Sequence, residues 1–241
     1  MKQSHYDVMY NMELYHWWYR VRRDLIHDLI HAHLDLGRRL SILDVGCGGG
    51  ALMKELEIYG NVFGVDFSDT AIDFCKRRNI TNVQKSGIEL LPFPAGHFDL
   101  VLAMDVLEHI PKDDDGVREV FRVLKSGGIL IVFVPAFMFL WGITDELSQH
   151  YRRYTIAQVS SIVESKGFTV VRKSYFNTFL FIPIAGLRLL VRLFRIKTRD
   201  ENKIGGRFIN KILYMIFSIE RLILRYINMP FGVSCMIVAK K

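Results

Sequence analysis

The stretch DVGCGGG, residues 44 to 50, decides the fold of this 241-residue chain. It continues an apolar run over residues 41–45 that predicts a buried strand, and it leads into a periodic segment, 49–59, that predicts a helix. Glycines at such a junction let the backbone approach a ligand closely, and the first N–H groups of the helix face that ligand. The stretch therefore predicts a nucleotide-cofactor loop at the first strand–helix turn.

Apolar runs and amphipathic segments alternate between residues 40 and 134. This alternation is typical of an α/β domain, in which a parallel sheet is covered by helices. The predicted strands are residues 41–45, 62–65, 83–85, 98–103, 129–134, 168–174 and 234–239, and the predicted helices are 49–59, 70–78, 114–124 and 156–166. A chain of this length is sufficient for one such domain with an insertion.

Two classes of cofactor fit the glycine loop taken alone. Gly46-x-Gly48-x-x-Ala51 satisfies the dinucleotide fingerprint of nicotinamide- and flavin-dependent oxidoreductases. Asp66 follows about 20 residues later, at a strand end where a carboxylate accepts hydrogen bonds from ribose hydroxyls. The loop is therefore compatible with a nicotinamide-dependent oxidoreductase as well as with other enzymes that bind an adenosine cofactor.

Further motifs resemble those of class I, Rossmann-like S-adenosylmethionine-dependent methyltransferases. Asp44 completes the D-x-G-x-G-x-G loop of that family, and three more segments follow in the family's order: LPF at 91–93 with FD at 98–99, DVLEHI at 105–110, and KSGG at 125–128. The chain is similar to the methyltransferase type 11 and quinone-biosynthesis group, and to members found near glycosyltransferases. The resemblance implies a mostly parallel sheet with an antiparallel final strand, helices on both faces, and S-adenosyl-L-methionine as the cofactor.

The resemblance also implies individual cofactor contacts. Gly46, Cys47 and Gly48 would line the methionine part, Asp66 would bind both ribose hydroxyls, and Phe67 would pack on the adenine. The full set of expected cofactor-binding residues is Asp44, Gly46, Cys47, Gly48, Asp66, Phe67, Ile88, Asp105, Val106 and Arg23.

Ile88 and Arg23 belong to that set for separate reasons. Gly87 stands where the family often has an acid that contacts the adenine amino group, so this contact is assigned to the backbone near Ile88. The segment HWWYRVRR, residues 16–23, resembles an N-terminal helix in which an arginine pairs with the cofactor's carboxylate. Arg23 is assigned this role, and the alternative for the segment is an amphipathic helix with solvated arginines.

The expected catalytic residues are His109, Glu108 and His150. His109 is the preferred general base, because it follows the fourth predicted strand and an imidazole titrates near neutral pH; the alternative is a hydrogen bond that only holds the loop. Asp105-x-x-Glu108-His109 resembles the E-x-x-E-H pattern that holds a divalent ion in small-RNA 2′-O-methyltransferases and quinone O-methyltransferases, with His150 as a fourth ligand. Many methyltransferases carry this string without a metal, so a metal is not favoured.

The surplus positive charge lies in one segment. The formal net charge is +7, and residues 177–230 hold ten basic and three acidic residues, so the rest of the chain is neutral. The basic residues stand beside apolar runs, one of which is too short and too charged to span a bilayer. This pattern predicts helices that lie on an anionic membrane with Arg188, Arg192, Arg195 and Lys197 near the headgroups; the alternative is internal packing or a homodimer.

These observations give one domain in four parts. Residues 1–39 are an N-terminal helical cap, 40–176 the cofactor-binding core and acceptor-side loop, 177–230 the basic amphipathic insertion, and 231–241 the final strand. The predicted acceptor is a lipid, lipid-linked glycan or prenyl compound, with a soluble small molecule as the alternative. Nucleic acid is not expected, because no aromatic platform accompanies the basic residues.

The expected location is the cytoplasm, at the inner face of the cell membrane. Residues 1–23 lack the apolar core of a signal peptide. The three cysteines, Cys47, Cys75 and Cys235, show neither disulfide nor metal-ligand spacing, which is typical of a reducing compartment.

Overall fold

The structure, a computed structural model, describes residues 10–194 and 206–241. Within these residues the chain forms a seven-stranded sheet in the order β3-β2-β1-β4-β5-β7-β6. The strands are β1 (Leu40–Val45), β2 (Gly60–Asp66), β3 (Val83–Lys85), β4 (Phe98–Met104), β5 (Leu124–Pro135), β6 (Thr169–Phe176) and β7 (Ser234–Lys240). Strands β1 to β5 pair in parallel, whereas β7 lies antiparallel between β5 and β6. The predicted fold class, mostly parallel with an antiparallel final strand, is confirmed.

Helices cover both faces of this sheet. They are α1 (Trp17–His33), α2 (Ala51–Leu56), α3 (Asp69–Arg77), α4 (Asp113–Val123), α5 (Ile143–Ser148), α6 (Ile156–Ser165), α7 (Phe181–Leu193) and α8 (Arg207–Leu224). Alternate residues of a strand point to opposite faces, so β4 sends Leu100 and Leu102 into the core under α1 and α8, and Val101 into the core under α4 and α6.

The helix predicted over residues 49–59 is shorter in the structure. It begins only at Ala51, because Gly50 has a left-handed backbone with φ +79° and still belongs to the loop. The predicted N-cap at Thr155 is confirmed, since its side chain accepts a hydrogen bond from the Gln158 backbone N–H and the Gln158 side chain accepts one in return from the Thr155 N–H.

The described residues of the insertion include α7 and α8, and the inner face of α8 packs on α1. Phe217 stacks on Trp18 with ring centroids 5.7 Å apart. Next to this contact, Arg221 Nε lies 2.6 Å and Arg225 Nη2 lies 2.7 Å from the carboxylate of Asp28. Ion pairs within the domain therefore offset part of the positive charge that the sequence places in the insertion.

Arg188 also differs from the expectation that it faces acidic headgroups. Its side chain is 14% exposed and turns inward, where it lies 3.8 Å from the buried carboxylate of Asp145 and donates to the Leu140 carbonyl. The reason is that α7 packs against the segment after β5, which carries both Leu140 and Asp145. The predicted headgroup contacts of Arg195 and Lys197, and that of the Arg192 side chain, lie outside the described residues.

No helix within the described ranges is long and apolar enough to cross a membrane.

Candidate active site

The glycine loop lies at the carboxyl end of β1, between β2 and β4, where the strand order changes direction and where ligands bind in open α/β sheets. Gly46 has φ +70° and Gly48 has φ +54°, conformations that favour glycine. A Cβ atom on Gly46 would stand 2.6 Å from Cγ2 of Val106. The loop after β1 therefore touches the segment after β4, which brings together two of the predicted cofactor residues.

Two buried carboxylates lie behind the loop. Asp66, at the end of β2, accepts hydrogen bonds from the backbone N–H groups of Gly48 at 3.1 Å and Ser68 at 2.9 Å. Burial, together with the charges of Asp66 and Glu13, raises the pKa of Asp44 to about 8. Positive charge or hydrogen-bond donors of a cofactor would stabilise this pair, which fits the sulfonium and ribose of S-adenosylmethionine.

The predicted adenine contacts are consistent with this position of the loop. Phe67 directly follows Asp66 and is 54% exposed, so its ring is available to a flat ligand. The side chain of Ile88 is buried and faces Gly116 of α4. The assignment of the adenine contact to the backbone near Ile88 stays a prediction.

Cys47 is buried, and its environment indicates a packing role in the loop. Contact with Cys75 and burial raise the pKa of the Cys47 thiol well above its ordinary value, while the Cys75 thiol donates to the Gly48 carbonyl at 3.3 Å. The backbone of Cys47, rather than its thiol, remains the part suited to a cofactor contact.

An N-terminal segment that the motifs do not identify covers the same loop. Arg78 donates to the Gly49 carbonyl at 2.8 Å and pairs with Glu13, and the ring of Tyr10 lies 2.9 Å from the position of a Cβ on Gly49. A side chain at residue 49 would therefore meet Tyr10 and Glu13. Only contacts between distant parts of the chain make this cover visible.

Two adjacent arginines approach the cleft from α1. Arg23 donates to Glu55 at 2.8 Å and to the Glu13 carbonyl, while the buried Arg22 forms an ion pair with Asp105. The assignment of Arg23 to the cofactor's carboxylate stays a prediction, and Arg22 is a second arginine in reach of the residues after β4.

The acceptor side of the cleft is formed by the segments after β4 and β5. Glu108 and His109 stand on a short 3-10 turn, Leu107–His109, and the backbone N–H of Tyr151 donates to the Glu108 carbonyl at 2.8 Å. This contact places the rings of His109 and His150 perpendicular, with centroids 4.6 Å apart. The three expected catalytic residues are therefore brought together.

The same three residues could hold a metal ion. One potential ligand atom each from Glu108, His109 and His150 lies within 4.8 Å of the others, and carboxylate with imidazole suits several divalent ions. Asp105, the first residue of the predicted ligand pattern, is instead paired with Arg22. The structure thus assembles three of the four residues of the predicted pattern.

Glu108 has the most unusual environment of the group. Its side chain is fully buried, and neither carboxylate oxygen has a hydrogen-bond partner among the residues that the structure describes. Burial first, and the nearby charge of Asp105 second, raise the pKa of Glu108 well above its ordinary value. A neutral carboxyl group accounts for this burial without a cation.

Glu108→Gln tests this interpretation, since glutamine has the shape of a protonated glutamate. The folded pKa is raised, so the folded protein binds more protons than the unfolded one, and stability falls as the pH rises above the unfolded pKa. We therefore expect Glu108→Gln to raise the free energy of unfolding at pH 8, by about 1.4 kcal/mol per unit of pKa shift, with a gain that shrinks toward pH 4.5. Denaturant unfolding at both pH values measures this, with Glu89→Gln, an exposed site, as the control.

The two histidines differ in their environments. Burial, and secondly the neighbouring His150, lower the pKa of His109 to about 4, so its ring is neutral but only weakly basic near pH 7. His150 Nδ1 lies 2.9 Å from Oδ1 of Asp145, a fully buried acid on α5. The sequence shows both the acid and the imidazole but does not show that they pair.

Comparisons with known proteins agree with the geometry of the cofactor side. The family described as a methyltransferase domain matches residues 43–132. A ubiquinone biosynthesis O-methyltransferase of Coxiella burnetii is 38% identical over 96 residues, which is 37% of this chain and 41% of that protein. A probable S-adenosylmethionine-dependent methyltransferase of Mycolicibacterium smegmatis is 28% identical over 64% of this chain and 60% of its own length. The match thus spans about two fifths of the first of these relatives.

Solved structures extend the likeness of the fold to most of the chain. A SAM-dependent methyltransferase from Archaeoglobus fulgidus, 22% identical, has a TM-score of 0.57 over 91% of this chain and 94% of its own. A putative methyltransferase from Bacillus halodurans, 21% identical, has a TM-score of 0.59 over 90% and 98%. At these identities the likeness concerns the fold alone.

Proposed function

We propose that this chain, which carries a Rossmann-like methyltransferase domain whose cofactor is S-adenosylmethionine, methylates a hydroxyl group of a lipid, lipid-linked glycan or prenyl-type acceptor at a membrane surface. Methyl transfer needs a cofactor held on one side of a cleft and an acceptor on the other. The observation that carries the proposal is the contact of Gly46 with Val106, because Val106 directly precedes the turn that bears Glu108 and His109. The glycine loop thus lies next to the turn that carries the His109 imidazole.

The chemistry asks little of the protein beyond alignment and proton removal. When bound, S-adenosylmethionine supplies an activated methyl group, so the acceptor needs only an in-line approach and a base. Asp66 and Phe67 would hold the adenosine part, and the imidazoles of His109 and His150 would face the acceptor hydroxyl. O-methylation therefore suits this site better than hydride transfer.

Apolar surface beside the cleft supports an apolar acceptor. The aromatic rings of Phe137, Phe139, Phe181 and Phe231 form a connected chain with centroids 5.3 to 6.2 Å from one ring to a neighbouring one. This chain joins the loop after β5, which continues toward His150, to the start of α7. An acceptor with an apolar tail would bury such rings, and each fully buried side chain would contribute about 1.5–3 kcal/mol.

The relatives' names favour one member of this acceptor class. Several of them are called ubiquinone biosynthesis O-methyltransferase, from Coxiella burnetii and Nitrosospira multiformis among others. By similarity, we infer that a ring hydroxyl on a prenyl-type acceptor is the first compound to try.

Transfer of a labelled methyl group tests the proposed function. Purified protein is incubated with S-adenosylmethionine carrying a deuterated methyl group and with a total membrane extract, and in parallel with the soluble metabolites of the same cells. In the lipid fraction, mass spectrometry should find a methylated product that is 3 Da heavier with the deuterated cofactor than with the unlabelled one. A labelled product confined to the soluble fraction would replace the lipid acceptor by a soluble one, and no product in either would count against methyl transfer.

The outer face of α8 supports membrane contact. Phe208, Ile212, Met215, Ile219, Leu222 and Tyr226 recur every three or four residues and are 40% to 88% exposed, which makes one apolar stripe. The one acid in α7 and α8 over their described lengths is the buried Glu220. Exposed Arg207 and Lys211 accompany the stripe, so like charges would oppose pairing of two copies, whereas an anionic surface would attract both.

Flotation with vesicles is expected to show this contact. The protein should bind phosphatidylglycerol vesicles more strongly than phosphatidylcholine vesicles, and less in high salt. Ile212→Glu combined with Ile219→Glu should release it, because two charges then interrupt the apolar stripe. Ile58→Glu, at an isoleucine that is 70% exposed outside the insertion, is the matched control and should still float. Wild-type protein that stays unbound and sediments as a dimer would assign the stripe to a second copy.

A further inference from the structure

Asp145 is a buried acid at the meeting point of the cleft and the insertion. It lies in the first turn of α5 and is 0% exposed. One carboxylate oxygen, Oδ1, lies 2.9 Å from His150 Nδ1 and accepts from Arg153 Nε at 2.8 Å, while Oδ2 accepts from the Gly142 N–H at 2.8 Å. Arg188 of α7 approaches Oδ2 at 3.8 Å. Each side of the carboxylate is therefore engaged.

This environment keeps Asp145 ionised. Oδ1 lies beside His150 and accepts from the Arg153 guanidinium, and Arg188 places a second positive charge beside Oδ2, so two cationic side chains surround the carboxylate. An ionised carboxylate only accepts hydrogen bonds, so His150 must donate through Nδ1. Nε2 is then the nitrogen that retains a lone pair.

We propose that Asp145 is a positioning residue that fixes His150 in the Nδ1–H tautomer, and that His150 is thereby the base for the acceptor hydroxyl. This inference rests on the proposed methyl transfer. The acceptor proton passes to His150 Nε2 while the acceptor oxygen bonds to the methyl carbon, and the electron pair of the broken carbon–sulfur bond stays on sulfur. The carboxylate of Asp145 stabilises the positive charge that arises on the imidazole.

Among the described residues, no carboxylate forms a hydrogen bond with the ring of His109, whereas Asp145 lies 2.9 Å from His150. A base must accept a proton during the reaction, so the imidazole that is paired with a carboxylate suits this role better. We therefore propose His150 instead of His109 as the base, and His109 as a residue that lines the acceptor side.

Nitrogen NMR of histidine-labelled protein tests the tautomer without an acceptor. In the neutral ring of His150 in the wild-type protein, Nδ1 should carry the proton and Nε2 should be bare. Asp145→Asn should reduce this preference, because an amide can donate as well as accept. Asp113→Asn is the matched control: it alters a carboxylate that accepts from Tyr154 at 2.9 Å and from Arg152 at 3.2 Å but does not touch His150. An Nε2–H tautomer in the wild-type protein would overturn the proposal even if Asp145→Asn did not fold.

A double-mutant cycle on labelled-methyl transfer tests the connection to turnover. Asp145→Asn should lower kcat about 10-fold to 100-fold, as changes behind a functional imidazole do, with an unchanged Kd for S-adenosylmethionine. In a His150→Ala background the same change should have almost no further effect, because Asp145 acts through that ring. An equal loss in both backgrounds would make Asp145 a purely structural residue. The NMR result stands whether or not methyl transfer is found, so the two proposals can fail separately.

Discussion

Replacing His150 by alanine is expected to lower kcat by about 100-fold or more, the usual contribution of a positioned base. The Kd for S-adenosylmethionine should stay within about 2-fold, because a base acts on the acceptor and not on the sulfonium. Single-turnover transfer of the labelled methyl group measures the first quantity, and calorimetry measures the second. An unchanged kcat would reduce His150 to a residue that holds its loop.

Two further variants place this result in context. His109→Ala should also lower turnover more than cofactor affinity, but by less than His150→Ala, since its ring has a pKa of about 4 and accepts a proton poorly. His97→Ala is the control, because His97 stacks on Phe93 before β4, at the opposite end of that strand from the cleft. A larger loss at residue 109 than at residue 150 would restore the original assignment.

Asp66→Ala is expected to weaken S-adenosylmethionine binding by about 100-fold or more. A carboxylate that accepts from two ribose hydroxyls contributes about 1.5 kcal/mol or more for each charge-assisted bond, and about 3 kcal/mol corresponds to about 100-fold in Kd. Asp69→Ala removes an exposed carboxylate three residues away that pairs with Lys85 at 2.6 Å, and should leave the Kd unchanged.

Asp66 also has a structural role, so binding and stability must be measured separately. Its oxygens accept from the backbone N–H groups of Gly48 and Ser68, and their loss could loosen the loop. Asp66→Asn keeps an acceptor for these groups but lacks the charge, and should recover stability without recovering the whole affinity. Wild-type affinity in both variants would remove Asp66 from the cofactor site.

The parallel half of the fold could be predicted because its signals are local. Short stretches of sequence predict the glycine loop, the end of the strand at Asp66 and the N-cap at Thr155. The position of β7 between β5 and β6 has no such signal, since the register of an antiparallel pair depends on partners far apart in the chain. Resemblance supplied the antiparallel final strand.

The sequence predicts which residues stand at the end of a strand, but it does not predict which side chains pair across the cleft. Gly46, Asp66 and Phe67 follow strands whose ends meet at one edge of the sheet. The pairing of Arg22 with Asp105 spans 83 residues, and that of Asp145 with His150 requires the turn at the end of α5. The number of basic residues in the insertion likewise does not show that Arg188 and Arg221 face inward, because a helix can direct basic side chains either toward the protein or toward solvent.

Calorimetry with three ligands tests whether S-adenosylmethionine is the cofactor of this chain. The protein should bind S-adenosylmethionine and its demethylated product S-adenosylhomocysteine, with one site each, and should not bind a nicotinamide dinucleotide. This result is expected because the acidic residues behind Gly46 suit a sulfonium and a ribose better than a second phosphate. Binding of the nicotinamide dinucleotide with no binding of S-adenosylmethionine would contradict the account and make the chain an oxidoreductase.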